Sequence, residues 1–210
     1  MTKTTTFEAL AAHLAAWPAE RRLVAVVGAP GSGKSTLAQA LADHLNATTQ
    51  DRAAVIPMDG FHYDDRVLGP MGLLPRKGSP DTFDVAGLDH LLGRLATNSE
   101  PHIAIPIFDR TLEAARAAAL LVPQSTDILI VEGNYLLLRT PPWDKLARHF
   151  RTSVTLDVPR ATLEARLRAR WDGYGYDVDT ITAKVEANDL PNGDTVRTQS
   201  APADHVIHQS

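Results

Sequence analysis

Hydrophobic and polar positions alternate along this chain in two rhythms. Short apolar runs at residues 23–27, 53–58, 103–108 and 128–131 have no polar interruption, as strands buried on both faces require. Residues 153–158 and 205–207 read as further strands. Between these runs the spacing turns helical. Phe7, Leu10, Ala11, Leu14 and Trp17 share one helical face, and Pro18 closes that segment. Residues 35–45 are strong helix formers. Asp84 is placed to cap a helix running to Leu95. Residues 111–119 are helix-prone, residues 143–150 predict a short helix, Pro159 opens an arginine-rich helix ending at Trp171, and residues 181–187 predict another. Residues 64–81 break every rhythm. Gly69, Pro70, Gly72, Pro75, Gly78 and Pro80 mark a long loop, and long loops in compact domains usually carry function.

Strands alternating with helices predict an α/β fold, a parallel β-sheet flanked by helices. Ligands of such sheets bind outside the carboxyl ends of the strands. Polar residues collect there: residues 28–35 after the first run, Asp59 after the second, Asp109 and Arg110 after the third, Glu132 after the fourth. One shared site is expected.

The richest of these ends is Gly28-Ala29-Pro30-Gly31-Ser32-Gly33-Lys34-Ser35-Thr36. Gly28, four residues, then Gly33-Lys34-Ser35 is the phosphate-binding loop pattern. Its glycines let successive N–H groups point inward at phosphate oxygens, and the following helix adds a favourable dipole. Lys34 would neutralise the β- and γ-phosphates of a nucleotide such as ATP, and the Ser35 hydroxyl would ligate Mg²⁺. Glu132, ending an apolar strand, would help to hold that Mg²⁺ directly or through water; the bland alternative is an acid at an exposed strand end. Asp59 could orient an acceptor hydroxyl and take its proton, or be a turn residue before Gly60.

Other polar residues are open to two readings. Arg160, Arg166, Arg168 and Arg170 crowd one helix. Arg166 and Arg170 share a face and could clamp phosphate; otherwise the run is a solvated face. Arg76 and Lys77 could clamp an anion. His62 and Tyr63 follow the candidate base and could touch a polar acceptor. Asp84, Asp109 and Arg110 could hydrogen-bond substrate hydroxyls, with helix capping as the competing role for Asp84. Asn188, Asp189 and Asn192 around Pro191 suggest a turn on the adenine side or in a lid.

Composition narrows the class. The chain has 210 residues, 44% hydrophobic, enough for one domain spanning 1–210 with a lid at about 159–192. A net charge of -4 offers no basic field to attract nucleic acid. Cysteine is absent, which excludes a thiolate nucleophile and a zinc–cysteine site. No apolar run is long enough to insert in a membrane, and residues 1–6 lack an apolar signal core. A cytoplasmic protein with a small-molecule substrate is expected, and a homodimer is compatible with it.

Longer motifs carry a resemblance. Met58-Asp59-Gly60-Phe61-His62, Gly72 through Asp84, Pro106-Ile107-Phe108-Asp109-Arg110, Val131-Glu132-Gly133-Asn134-Tyr135-Leu136 and Asn188-Asp189-Leu190-Pro191-Asn192 resemble the bacterial fructokinase-like P-loop kinases, also described as fructose transport system kinases. These go with uridine kinase, type I pantothenate kinase and phosphoribulokinase. The resemblance runs from about Leu23 to Ile207. It implies a P-loop NTPase fold of the nucleoside monophosphate kinase type with an arginine-bearing lid. It implies ATP and Mg²⁺ as cofactors and phosphoryl transfer to a hydroxyl of a small molecule, with a sugar such as fructose first. Asp59 would be the base, Glu132 would lie near Mg²⁺, Arg166 and Arg170 would be lid arginines, and Asp84, Arg110, Asn134 and Tyr135 would line the acceptor side. Pantothenate or a nucleoside are the alternative acceptors. A nucleotide-dependent accessory of a sugar transporter is the alternative class.

Overall fold

The computed structural model describes residues 2–209. Its strands are β1 (Lys3–Thr4), β2 (Arg22–Gly28), β3 (Ala53–Pro57), β4 (His102–Asp109), β5 (Ala114–Pro123), β6 (Ile128–Gly133), β7 (Phe150–Asp157) and β8 (His205–His208). The helices are α1 (Phe7–Ala15), α2 (Lys34–Thr48), α3 (Asp65–Leu68), α4 (Val85–Thr97), α5 (Arg160–Gly173), α6 (Val178–Lys184) and α7 (Leu190–Gln199). A π turn, Val185–Asp189, joins α6 to α7, and a 3₁₀ turn, Met58–Phe61, follows β3.

Six strands form one sheet in the order β1-β8-β7-β2-β6-β3, with every pairing parallel. The central strand β2 explains why its sequence shows no alternation. Leu23, Ala25 and Val27 face one core with Leu129 and Val131 of β6, while Val24 and Val26 face the other with Ile128 and Ile130. Helices α1 and α2 cover the second face and α4 the first, so both faces of the strand are dry. The chain leaves β2 for β3 on one side and later returns to β7 on the other. That reversal places the C-terminal end of β2 at the switch point where parallel sheets bind ligands.

Residues 111–119, expected to be helix-prone, lie largely in a strand. β5 pairs antiparallel with β4 in a separate two-stranded ribbon, so residues 103–108 are a strand but not part of the main sheet. Pairing with β4 overrides the alanine preference because β4 is outside the large sheet and needs a ladder partner. Residues 188–192, expected as a turn, continue a helical path through the π turn into α7. The expected long loop carries α3 and two further 3₁₀ turns.

Candidate active site

The phosphate loop starts where β2 ends. A Cβ on Gly28 would strike the Ser32 side chain, and Gly31 and Gly33 stand at φ 79° and 88°, where side chains are strained. A Cβ on Gly31 would also come within 3.1 Å of Leu167 on α5, so the arginine-bearing helix packs directly on the loop. Gly33 is the N-cap of α2 and offers no side chain there. The first N–H groups of α2 are thus left for an anion.

Two carboxylates converge from neighbouring strands. Glu132 is the penultimate residue of β6 and Asp59 lies just beyond β3, its partner strand. Glu132 is 6% exposed, and burial pushes its carboxyl above the usual range. The Lys34 ammonium and a hydrogen bond from the Ser35 hydroxyl oppose that rise, and the charge of Asp59 adds to it. A buried acid left short of positive charge beside a phosphate loop is suited to a cation. Among the described residues no cluster of three His, Cys, Asp or Glu could hold a metal. A Mg²⁺ ion here would draw its remaining ligands from phosphate and water, as this ion usually does.

The hairpin supplies the next group. Arg110, in the β4–β5 turn, donates to Asp59 Oδ2 at 2.9 Å and fixes the carboxylate's orientation. The hairpin can dock there because residue 60 is glycine: a Cβ would collide with the Pro106 carbonyl of β4. His62 rests on the rings of Phe83 and Phe108, at centroid distances of 4.0 and 4.7 Å, and its Nδ1 bonds the Asp59 carbonyl at 2.8 Å. Burial lowers the His62 pKa, so the ring is neutral and that Nδ1 is the donor. Its part is to buttress the Asp59 turn. The Tyr63 N–H donates to the Thr82 carbonyl and ties this turn to the long loop.

The long loop is anchored rather than free. Lys77 Nζ donates to Asp65 at 2.7 Å and to the Glu113 carbonyl at 2.6 Å, acting as a strut between loop and hairpin. The Arg76 side chain makes an exposed 3.8 Å pair with Asp81. Tyr135 is 0% exposed, its ring stacked edge-on with Phe83 and Trp143 and its hydroxyl donated to Gly78 O at 2.7 Å. It holds the loop from beneath and does not reach the site surface. Asn134, one residue earlier, keeps a buried side-chain oxygen without a partner among the described residues. Asp84 caps α4 by accepting from the Gly87 N–H at 2.8 Å.

The two expected clamp arginines part ways. Arg166 reaches the phosphate loop, 3.5 Å from Ser32 O, and donates to Gln209 at 3.1 Å. Arg170, one turn further, lies over the Trp171 ring and pairs with Asp189 at 3.7 Å. Sequence reasoning had no place for Asp189 as an arginine partner, nor for Asn188 and Asn192 as loop contacts. Their clustering around Pro191 was the only signal. A cavity of about 390 Å³ lies against Gly28–Pro30, between α5 and α7. It reaches neither Asp59 nor Glu132, so it is separate from the place where these acids meet.

A phosphate loop on the switch strand of a parallel sheet, with two acids and an arginine at one end, defines a P-loop kinase. No family model matches the chain. A Schizosaccharomyces pombe protein named "Putative uridine kinase C227.14" is 32% identical over 198 residues, 90% of this chain and 84% of that protein. A pantothenate kinase of Enterococcus faecalis is 30% identical over 144 residues, covering 68% of this chain and 47% of the enzyme. The crystal structure of a "putative fructose transport system kinase" from Silicibacter sp. TM1040 superposes with a TM-score of 0.89 at 42% identity, over 96% of this chain and 98% of that one. The chain belongs to the uridine kinase, pantothenate kinase and phosphoribulokinase-like family of P-loop kinases. No helix among the described residues is long and apolar enough to cross a membrane.

Proposed function

We propose that this protein transfers the γ-phosphoryl group of ATP to a hydroxyl of a small molecule, with a sugar such as fructose as acceptor. The observation that carries the reading is the meeting of Asp59 and Glu132 beside Lys34, with Arg110 fixing the Asp59 carboxylate. The sugar rests on the similarity to the Silicibacter protein. When bound, ATP·Mg²⁺ supplies the phosphoryl group and the metal charge that offsets its oxygens. Lys34 and loop N–H groups between Gly31 and Thr36 bind the phosphates. Ser35 and Glu132 hold the metal. Asp59 orients the acceptor hydroxyl and takes its proton as the new P–O bond forms. Arg166 closes over the phosphates, and the segment around residues 159–192 excludes water from the transfer.

The test is ADP formation from ATP·Mg²⁺ across a panel of fructose, other sugars, pantothenate and nucleosides. One acceptor should raise the rate far above basal hydrolysis. Asp59→Asn and Lys34→Ala should each cut that turnover about 10²-fold or more. Near-normal turnover in Asp59→Asn would remove it as the base. A flat panel with slow hydrolysis would favour a regulatory nucleotide switch.

A further inference from the structure

The π turn Val185–Asp189 adds a residue to one helical turn, and π turns in helices are frequent at functional sites. Here the turn sends three side chains to three places. Val185 enters a small core with Leu167, Ile181 and Leu190, which ties the turn to the arginine helix α5. Asp189 accepts from Trp171 Nε1 at 2.6 Å, also on α5. Asn188 leaves this cluster and donates from Nδ2 to the Lys77 carbonyl, 2.9 Å away and 111 residues distant in sequence.

The orientation of the Asn188 amide is fixed from its other end. Asn192 Nδ2, 6% exposed as a residue, donates to Asn188 Oδ1 at 3.1 Å. An oxygen that must accept from Asn192 leaves only the Nδ2 end for Lys77 O. The receiving peptide is held from other sides too. Gly78, at φ 96°, donates its N–H to Thr82 Oγ1 at 2.9 Å, and its carbonyl accepts from Tyr135. The Lys77 side chain runs to Asp65 and Glu113, and its ammonium lies 5.3 Å from the Phe108 ring that supports His62.

The geometry points to Asn188 as a positioning residue: it is the latch by which the arginine-bearing segment holds the loop at Lys77–Gly78 in register with Asp59, and Asn192 is the residue that aims it. The latch rests on the kinase reading for its meaning. With the loop held in this way, the acceptor meets a site already formed beside Asp59 and need not order it on binding.

Hydrogen exchange on the nucleotide-free full chain tests the latch itself. The N–H groups of Lys77, Gly78 and Ser79 are all bonded, to Leu74 O, Thr82 Oγ1 and Arg76 O, and should exchange slowly. Asn188→Ala should speed their exchange about tenfold while β2 and β6 stay as protected as before. Asn192→Asp, which never touches the loop, should do the same, because a carboxylate can only accept and turns the Asn188 NH₂ away from Lys77 O. With the acceptor found in the panel, both variants should raise its KM about tenfold and leave the KM for ATP within about twofold. Wild-type exchange at residues 77–79 in both variants, or an unchanged acceptor KM, overturns the latch. A panel without any acceptor turnover defeats the kinase reading instead, and the exchange result still decides the latch.

Discussion

Glu132 is the residue whose stability and function pull in opposite directions. Its carboxylate is buried, and the loss of solvation outweighs the attraction of Lys34. Glu132→Gln keeps the shape and removes the buried charge. Without nucleotide its Tm should therefore exceed that of the wild type, while, on the proposed role of Glu132 in holding the metal, turnover falls about 10- to 100-fold. A variant that melts lower would show that Lys34 more than compensates the charge. His62 makes the complementary case at a neutral group. Its folded pKa lies below the ordinary 6.5, chiefly through burial, with Lys77 and Arg110 adding to the fall and Asp59 opposing it. As pH drops below 6.5 the unfolded chain takes the proton first. The stabilisation is thus complete above that value and is lost as pH falls toward the folded pKa. Melting curves from about pH 7 to 5 should show a steeper loss for the wild type than for His62→Phe. Parallel slopes would place the titration elsewhere.

At the scale of elements, the β4–β5 hairpin is where the sequence misled and the structure shows why. Alanines at 114, 115 and 117–119 favour helix when nothing else decides. What decides is the ladder with β4, and that ladder is interrupted at Pro106, which has no N–H to give. The register breaks there: Ile105 pairs with Leu120 and Ile107 with Arg116, leaving residues 117–119 opposite Pro106 alone. Ala118 takes up the slack at φ 52°, a conformation that costs a residue with a side chain about 1 kcal/mol or more. The same proline presents its carbonyl to Gly60, so the break is also the seat on which the hairpin meets the Asp59 turn. Ala118→Gly should relieve the strain and, after the added freedom of the unfolded chain, stabilise by roughly 0.5 kcal/mol. Calorimetry should register a small rise in Tm with Arg110 function intact; a fall would mean that the alanine side chain contributes more than its strain costs.

Across the whole molecule, what could be read from the sequence is what is local or periodic. The buried runs 23–27 and 128–131 name central strands because both faces of β2 and β6 are covered, and the loop at 28–36 names its ligand because a backbone cradle is specified by nearby glycines. What could not be read depends on contacts between distant segments. Tyr135 meets Gly78 across 57 positions and Arg166 meets Ser32 across 134, and no spacing rule connects such pairs. Asp59 was visible as a strand-end acid, whereas its arginine partner lies 51 positions away and required the hairpin to be placed first. These long contacts bring the arginine helix onto the phosphate loop, so nucleotide should brace the sheet and the α5–α7 segment together. A ligand that binds only the folded state at a hundredfold excess over its Kd adds about 2.7 kcal/mol of stability. For a chain of this size each kcal/mol is worth roughly 2–4 °C, so ATP·Mg²⁺ should raise Tm by about 5–10 °C. Lys34→Ala at the same nucleotide concentration should lose most of that shift, because the ammonium proposed to meet the phosphates is gone while the apolar packing beneath α2 is unchanged. Scanning calorimetry on both proteins decides the matter: equal shifts would place nucleotide outside the loop at residues 28–36, and a shift confined to the wild type would place its binding energy there.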